Sequence, residues 1–140
     1  MQFYKKNLVL QTSERSLIEV TAQINTQIHD WGVRQGMAYL FIPHTSASLV
    51  INECYDHSAK RDLEMYLDRI APEGESWYAH TLEGRDDSPA HMRTMITTTS
   101  LTIPIDDGQL SLGTWQGIFL AEHRRRGQQR QVLLRVLSVV

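Results

Sequence analysis

Cysteine is nearly absent from this sequence. Cys54 is the single cysteine among 140 residues, so no disulfide forms within the chain. We expect a buried, inert thiol at this position rather than a nucleophile. No apolar run approaches the roughly 18 to 20 residues of a membrane-spanning helix, and residues 1–6 lack the apolar stretch of a secretory signal. The cytoplasm, a reducing compartment, is the expected location, and no membrane partner is predicted.

Neither positively nor negatively charged residues are in large excess. The formal net charge is −2, from 14 Lys and Arg residues and 16 Asp and Glu residues. We therefore expect no nucleic-acid partner, because such proteins concentrate positive charge. The one short basic cluster, residues 124–126, is interpreted as a solvated turn between strands.

Several common catalytic fingerprints are missing as well. The sequence contains no Walker A loop, no GxGxxG run, no CxxC pair and no GxSxG elbow. These absences argue against P-loop and Rossmann enzymes, thioredoxin-like redox proteins and the common α/β serine hydrolases.

What is present is typical of one globular domain, which we assign to residues 1–140. Hydrophobic residues make up 41% of the chain and charged residues 21%. The periodicity and turn signals predict strands at residues 3–11, 37–43, 48–53, 101–105, 109–112, 114–122 and 131–140.

A first helix is predicted after a turn at residues 12–14. Leu17, Ile24 and Ile28 recur at helical spacing and define its apolar face. We expect Gly32 to end this helix, because glycine adopts the left-handed backbone conformation that often follows a last helical turn.

Two further helices are predicted in the middle of the chain. Asp56 caps the second, and Pro72 ends it. The third runs over residues 88–97, with Ser88 as its cap. Residues 73–87 form the longest irregular stretch, and loops of this length are often functional.

These elements indicate an α+β fold. Residues 106–108, Asp-Asp-Gly, lie between two predicted strands and are a strong hairpin signal. Helices between groups of hairpin-linked strands favour mixed, largely antiparallel β layers packed with two or three helices.

Histidines supply the first candidate site. His44 follows a predicted buried strand, His80 lies in the long loop, and His91 lies in the first turn of the third helix. Three neutral imidazoles bind Zn²⁺ and leave an open position that polarises a substrate oxygen or activates water. The alternative is three separate surface or hydrogen-bonded histidines, since no two of them form a short-range metal motif.

Carboxylates supply a second candidate. Asn52 and Glu53 end an apolar strand, and Asp86 and Asp87 precede the third helix. Carboxylate oxygens suit Mg²⁺ or a Mg²⁺–diphosphate group, and the free N–H groups of a helix start suit a phosphate. The alternative is that these aspartates only complement the helix dipole.

Trp115 lies between two glycines in the run of residues 113–117. It either stacks on a flat ring, with Gln116 as donor and acceptor, or fills the core beside a bulge. The sequence leaves both interpretations open.

Several motifs, taken in order, resemble one known family. They are His-Thr-Ser-Ala-Ser-Leu at 44–49 followed by Asn52-Glu53, Arg-Asp-Leu-Glu at 61–64, His80 to Gly84 with Asp86-Asp87 and Pro89-Ala90-His91, Leu-Thr-Ile-Pro-Ile at 101–105 with Asp107-Gly108, and Leu-Gly-Thr-Trp-Gln-Gly-Ile at 112–118. From about residue 37 onward, the chain resembles the YjbQ-like secondary thiamine-phosphate synthase family. Residues 81–83 and the basic run 123–126 depart from the family pattern, and the basic run is either a phosphate-binding segment or ordinary surface.

The resemblance implies an α+β fold and a homotrimer with sites near subunit contacts. It also implies an activity that joins hydroxymethylpyrimidine diphosphate to a thiazole phosphate with release of pyrophosphate. The expected partner is a small phosphorylated substrate, and the expected cofactor is a divalent metal, Zn²⁺ or Mg²⁺.

The resemblance further implies which residues act. The family's histidines correspond to His44, His80 and His91, which we predict to be metal ligands and, with Glu53, catalytic residues. The predicted substrate-binding residues are Thr45, Ser46, Asn52, Asp86, Asp87, Trp115 and Gln116. Two other functions stay open: a metal- or metabolite-binding trimer without catalysis, and a three-histidine zinc hydrolase.

Overall fold

Antiparallel strands contribute more residues to the fold than helices do. The computed structural model describes residues 1–139, which form eight strands and three helices. The elements are β1 (Gln2–Gln11), β2 (Ser16–Glu19), α1 (Thr21–Asp30), β3 (Gly36–Phe41), β4 (Ala47–Glu53), α2 (His57–Ile70), α3 (Asp87–Ile96), β5 (Ser100–Asp106), β6 (Gln109–Leu110), β7 (Gln116–Glu122) and β8 (Gln129–Ser138). Every pairing among these strands is antiparallel, which confirms the predicted α+β class. Val140, the last residue of the predicted strand 131–140, lies outside the described residues. No helix within residues 1–139 is long and apolar enough to cross a bilayer.

The strands form two sheets that pack face to face. The large sheet has the order β1-β8-β3-β5-β6, and the small sheet has the order β2-β7-β4. One buried apolar cluster contains Leu40 of the large sheet, Leu49 of the small sheet and Ile28 of α1. A second cluster joins Phe119 of β7 to Leu63 of α2 on the other face of the small sheet. The small sheet is therefore covered on both faces, which explains why β7 is buried along most of its length.

The predicted hairpin is confirmed. Asp107 and Gly108 connect β5 to β6, and both have positive φ angles, 52° and 85°. Two positive φ angles define the tight turn whose twist matches that of paired strands, and a glycine at the second position adopts it without strain.

The prediction of the first helix is wrong at its start. Residues 16–19 form β2, which pairs with β7, and the helix begins only at Thr21. The pairing continues to Val20, whose N–H donates to Ile118 O at 2.8 Å. Leu17 does face an apolar cluster, but it does so from a strand, because pairing with a neighbouring strand outweighs a weak helical periodicity.

The third helix also begins earlier than predicted. It starts at Asp87, with Asp86 rather than Ser88 at the capping position. Asp86 makes no side-chain cap, because its carboxylate accepts hydrogen bonds from Arg124 instead. Pro89 is tolerated because the N–H groups of a first helical turn have no partner within the helix. The predicted Asp56 cap of α2 is confirmed, since its carboxylate accepts from Ser58 N at 2.9 Å.

The outer face of the large sheet carries exposed apolar side chains. Phe3 and Val9 of β1 and Tyr39 and Phe41 of β3 are between 40% and 60% exposed. The strand register places all four on the same face, because Phe3 lies beside Leu137 and that residue lies beside Met37. This apolar face, defined by Phe3, Val9, Tyr39 and Phe41, is a candidate contact surface.

A buried ion pair joins the two sheets. Glu122 of β7 is 1% exposed and Arg130 of β8 is 5% exposed. Arg130 donates through Nε to Glu122 Oε1 at 2.8 Å and through Nη2 to Oε2 at 2.5 Å. Thr12 Oγ1 also donates to Oε1 at 2.6 Å, and Ser46 O accepts from Arg130 Nη2 at 3.1 Å. The pair therefore holds the ends of four chain segments together.

Arg130→Met should lower the free energy of unfolding by about 3–5 kcal/mol, because it leaves Glu122 as an unpaired buried charge. Urea unfolding followed by circular dichroism measures the loss. Arg69→Met, on the exposed end of α2, is the matched control and should change stability by less than about 0.5 kcal/mol. Equal losses in the two variants would show that the ion pair does not stabilise the fold.

Candidate functional site

His80, Asp87 and His91 form a compact cluster at the start of α3. His80 comes from the preceding loop, and Asp87 and His91 are one helical turn apart. Asp87 Oδ2 lies 2.8 Å from His80 Nε2 and 3.2 Å from His91 Nε2. Three potential ligand atoms, one from each residue, all lie within 4.8 Å of one another. A single cation can therefore contact all three side chains.

The hydrogen bonds of His91 determine which of its ring nitrogens carries a hydrogen and which can bind a cation. Its Nδ1 lies 2.7 Å from Thr45 O, and a carbonyl oxygen can only accept, so Nδ1 carries the hydrogen. In a neutral ring, Nε2 then has a lone pair, which would face the carboxylate of Asp87 at 3.2 Å. Two acceptors at this distance repel each other unless a proton or a metal ion lies between them.

Asp87 is held in place by Arg124. The aspartate is 4% exposed, and its Oδ1 accepts from Arg124 Nη1 at 2.9 Å while Oδ2 faces the histidines. This arrangement fixes the carboxylate orientation before any ligand binds, as supporting groups do around metal ligands.

Arg124 also holds Asp86. Its Nε donates to Asp86 Oδ2 at 3.0 Å, and Arg125 N donates to the same oxygen at 2.9 Å. Burial opposes ionisation of Asp86, but these hydrogen bonds outweigh it and lower the pKa of the carboxyl group. Residues 124–126 do form the predicted turn between strands, here β7 and β8, and Arg125 and Arg126 are exposed. Arg124 is the exception, because Asp86 and Asp87 hold its side chain. The acidic partners lie almost forty residues away, and no local pattern reveals such pairs.

The donor set fits a transition metal better than Mg²⁺. Two imidazole nitrogens and one carboxylate oxygen match the ligands that Zn²⁺ and similar ions accept, with positions left open. Mg²⁺ prefers oxygen ligands in octahedral geometry, which this cluster does not supply alone. The sequence analysis missed the Asp87–His91 pair, four residues apart, because the predicted helix began only at Ser88 whereas α3 begins at Asp87.

His44 lies apart from the cluster in the single chain. Its Nε2 accepts a hydrogen bond from Gln131 N at 2.9 Å. Burial and then the positive charge of Arg130 lower the pKa of its imidazole. Thr45, the next residue, supplies the carbonyl that holds His91, and Ser46 is buried against Arg130. His44 is therefore connected to the cluster through the backbone of Thr45.

The other predicted site residues lie at the opposite end of the small sheet. Asn52 and Glu53 end β4, and Gln116 pairs with Glu53 at the start of β7. Ala47 and Glu53, at the two ends of β4, are about 20 Å apart because an extended strand rises about 3.4 Å per residue. These residues do not reach the histidine cluster of the same chain.

Their side chains are engaged locally. Glu53 Oε2 accepts from Tyr55 N and Asp56 N at 3.1 Å, and Gln116 Oε1 accepts from Gly113 N at 2.8 Å. Trp115 is 57% exposed and contacts the Tyr55 ring edge to face, at 5.0 Å between centroids. Of the two interpretations of Trp115, the core position does not apply, and its exposed ring is available for stacking.

His123 is a buried histidine that the sequence did not single out. It is 1% exposed, and its Nε2 lies 2.8 Å from Ser48 Oγ. Burial, followed by the charges of Arg93, Arg130 and Arg15, lowers its pKa to about 3. His123 is therefore neutral at neutral pH, which distinguishes it from a catalytic acid.

Comparison with protein families identifies relatives over nearly the whole chain. The family model described as UPF0047 protein YjbQ-like matches residues 6–139. The UPF0047 protein sll1880 of Synechocystis sp. is 43% identical over 137 residues, which cover 98% of this chain and 93% of that protein. The UPF0047 protein YjbQ of Escherichia coli O157:H7 is 39% identical over 132 residues, which cover 94% of this chain and 95% of that one.

Solved structures show the same fold. A YjbQ/UPF0047 family protein of Clostridium acetobutylicum matches with a TM-score of 0.86 and 34% identity, over 94% of this chain and 99% of that one. The conserved hypothetical protein TT1486 of Thermus thermophilus matches with a TM-score of 0.85 and 32% identity, over 94% and 99% of the two chains.

The stability of the protein should fall as the pH is lowered from 6.5 towards 3. In this window His123 is protonated in the unfolded chain, where its pKa is near 6.5, but stays neutral in the folded one. One proton taken up on unfolding contributes about 1.4 kcal/mol per pH unit. His123→Gln should remove this contribution from the slope of the unfolding free energy against pH, measured by urea unfolding at several pH values. His57→Gln, at an exposed position, should leave the slope unchanged, and equal slopes for the natural protein and His123→Gln would contradict the assignment.

Proposed function

Because this chain belongs to the UPF0047 family of YjbQ-like proteins, we propose that it is a metal-dependent transferase acting on a phosphorylated small molecule. The observation that supports this proposal is the contact between Asp87 and the two imidazoles of His80 and His91. With Nδ1 of His91 committed to Thr45 O, the cluster presents facing ligand atoms that a cation would bridge. Open positions on that cation are suited to the oxygens of a diphosphate.

The reaction that we propose is the one implied by the family resemblance. Hydroxymethylpyrimidine diphosphate loses pyrophosphate as the bond between its methylene carbon and the diphosphate oxygen breaks, and the electron pair leaves with pyrophosphate. The lone pair of the thiazole nitrogen then forms the new carbon–nitrogen bond. No proton transfer is needed, so the main requirements are positioning and stabilisation of the leaving charge. A divalent ion held by the cluster would supply that charge stabilisation.

The protein's own residues prepare this site. Arg124 fixes Asp87, and the Thr45 carbonyl fixes the ring of His91, so both groups point into the cluster without rearrangement. His44, next to Thr45 in the chain, has a lowered pKa and a neutral imidazole at neutral pH. We assign it to substrate contact or to a second ligand position beside the cluster.

We also propose that the protein is a homotrimer. The apolar face of the large sheet is supported as the contact surface by the exposure of Phe3, Val9, Tyr39 and Phe41. His44 follows β3 three residues after Phe41, so a partner seated on this face would border the site. A neighbouring copy would also provide the Trp115 end of its small sheet, which the histidine cluster cannot reach within one chain.

A second candidate function is zinc-dependent hydrolysis. It is favoured by the donor set, because two histidines and one carboxylate also hold the ion of many zinc hydrolases. The activity assays below distinguish the two functions.

His80→Ala and His91→Ala should each abolish both metal binding and activity. Elemental analysis after supplementation with Zn²⁺ should give one ion per chain of the natural protein and none in the variants. Formation of thiamine phosphate from the two phosphorylated precursors should fall by about 100-fold or more, because removal of a ligand costs more than removal of its supporting groups.

His57→Ala is the control, since this exposed histidine lies outside the cluster. Circular dichroism verifies that each variant is folded. Retained turnover in both cluster variants would remove them from the mechanism. Metal retention without turnover would favour a binding protein, and phosphate-ester hydrolysis that is lost on chelation would favour the hydrolase.

Phe41→Glu should convert the trimer to monomers, because a charge on each copy would be buried in the contact. Sedimentation velocity measures the state of assembly. Met95→Glu, at an 85% exposed position on α3, is the matched control and should remain trimeric. A natural protein that sediments as a monomer would contradict the proposal.

A further inference from the structure

An arginine-lined cavity of about 430 Å³ lies between α2 and the end of β7. The arginines come from four different parts of the chain: Arg15 precedes β2, Arg61 lies on α2, Arg93 lies on α3, and Arg125 follows β7. None of the three residues of the histidine cluster lines this cavity. It is therefore a separate site, and its function does not rest on the one proposed above.

Arg93 provides the first argument that this cavity binds a ligand. Its side chain is 2% exposed, and Nη2 donates to Ala71 O at 2.9 Å and lies 3.2 Å from Asp68 Oδ1. Its Nε, however, has no hydrogen-bond acceptor among residues 1–139. A buried donor without an acceptor is rare and destabilising, so an acceptor from outside the chain is expected here.

The charges around the cavity indicate that this acceptor is an anion. Burial lowers the pKa of Arg93, and the positive charge of Arg15 lowers it further. Besides burial, the charges of Arg93, Arg130 and Arg15 lower the pKa of His123, which also lines the cavity. Asp68 and Glu73 act in the opposite direction on the pKa of Arg93, but burial and Arg15 outweigh them.

Three of the four carboxylates that line the cavity are engaged, and the fourth belongs to the exposed Glu14. Asp68 lies 3.4 Å from Arg15 and 3.2 Å from Arg93, and Glu64 Oε2 accepts from Leu17 N at 2.9 Å. Glu122 is paired with Arg130. Each guanidinium carries five N–H donors, so four arginines provide more donors than these acceptors use. The side chain of Arg61 makes no hydrogen bond or ion pair within the described part of the chain.

We propose that this cavity binds the phosphoryl group of a phosphorylated small molecule. Guanidinium groups approach from several sides, which suits a tetrahedral oxyanion, whereas a planar carboxylate is satisfied by one guanidinium fork. The bound phosphoryl group supplies acceptors to the inner wall of the cavity and compensates the positive charge at Arg93. The size of the cavity leaves room for the remainder of a small metabolite beside α2.

Titration of the complete protein with inorganic phosphate, followed by isothermal calorimetry, tests this proposal. We expect saturable binding with one phosphate per chain. Arg61→Gln should weaken binding about tenfold or more, because it removes charge-assisted hydrogen bonds. This substitution leaves the packing of the fold intact, since the side chain of Arg61 is exposed and has no partner in the described chain. Arg15→Gln should have a comparable effect.

Three controls make the result specific. Arg69→Gln, on the same helix but outside the cavity, should bind phosphate as the natural protein does. His91→Ala should also keep its affinity, whereas loss of binding in this variant alone would move phosphate to the histidine cluster. Acetate should compete poorly, and equally strong binding of acetate would overturn the preference for a phosphoryl group. An absence of saturable binding would overturn the proposal and leave an ordered water as the acceptor for Arg93.

Discussion

The buried ion pair between Glu122 and Arg130 is the interaction on which the candidate site depends. It joins a strand of the small sheet to a strand of the large sheet, and it also holds Ser46. Residues next to Ser46 and Glu122 in the chain hold the side chains of the histidine cluster. Thr45 precedes Ser46 and presents its carbonyl to His91, and Arg124 lies two residues after Glu122 and holds Asp87. One polar contact within the core thus determines where two supporting groups of the site are placed.

Charge balance connects the site to the rest of the molecule. Asp87 faces two histidines on one side and Arg124 on the other, so its carboxylate is oriented towards the position that a cation would take. Beyond Asp86, the arginine-lined cavity has the opposite character, because three of its four carboxylates are engaged and its guanidinium donors are in excess. Arg125 contacts both regions. Its backbone N–H donates to Asp86, and its side chain forms an ion pair with Glu73. Arg125 therefore lines the proposed anion site and also contacts the residue that precedes Asp87 of the proposed cation site.

Features that depend on residues close together in the chain were predicted correctly, whereas features that depend on distant residues were not. The Asp107–Gly108 turn and the Asp56 cap were predictable, because each is decided by residues within three positions of it. Residues 16–19 were predicted as helix and form a strand, because β7, a hundred residues later, offers a pairing edge. Asp86 lies at the helix start but makes no side-chain cap, because Arg124, 38 residues later, binds its carboxylate.

The sequence by itself determined the fold class and one element of the site. Apolar runs and turn motifs specify paired strands, and the helix-start signal at Ser88 and Pro89 placed His91 in a first helical turn. The family motifs further identified the chain as YjbQ-like. Only the tertiary structure brought His80 and Arg124 to Asp87 and separated Trp115 and Glu53 from that cluster. The physical reason is that chain spacing sets side-chain direction only within an element, whereas sheet packing and long-range ion pairs set the distances between elements.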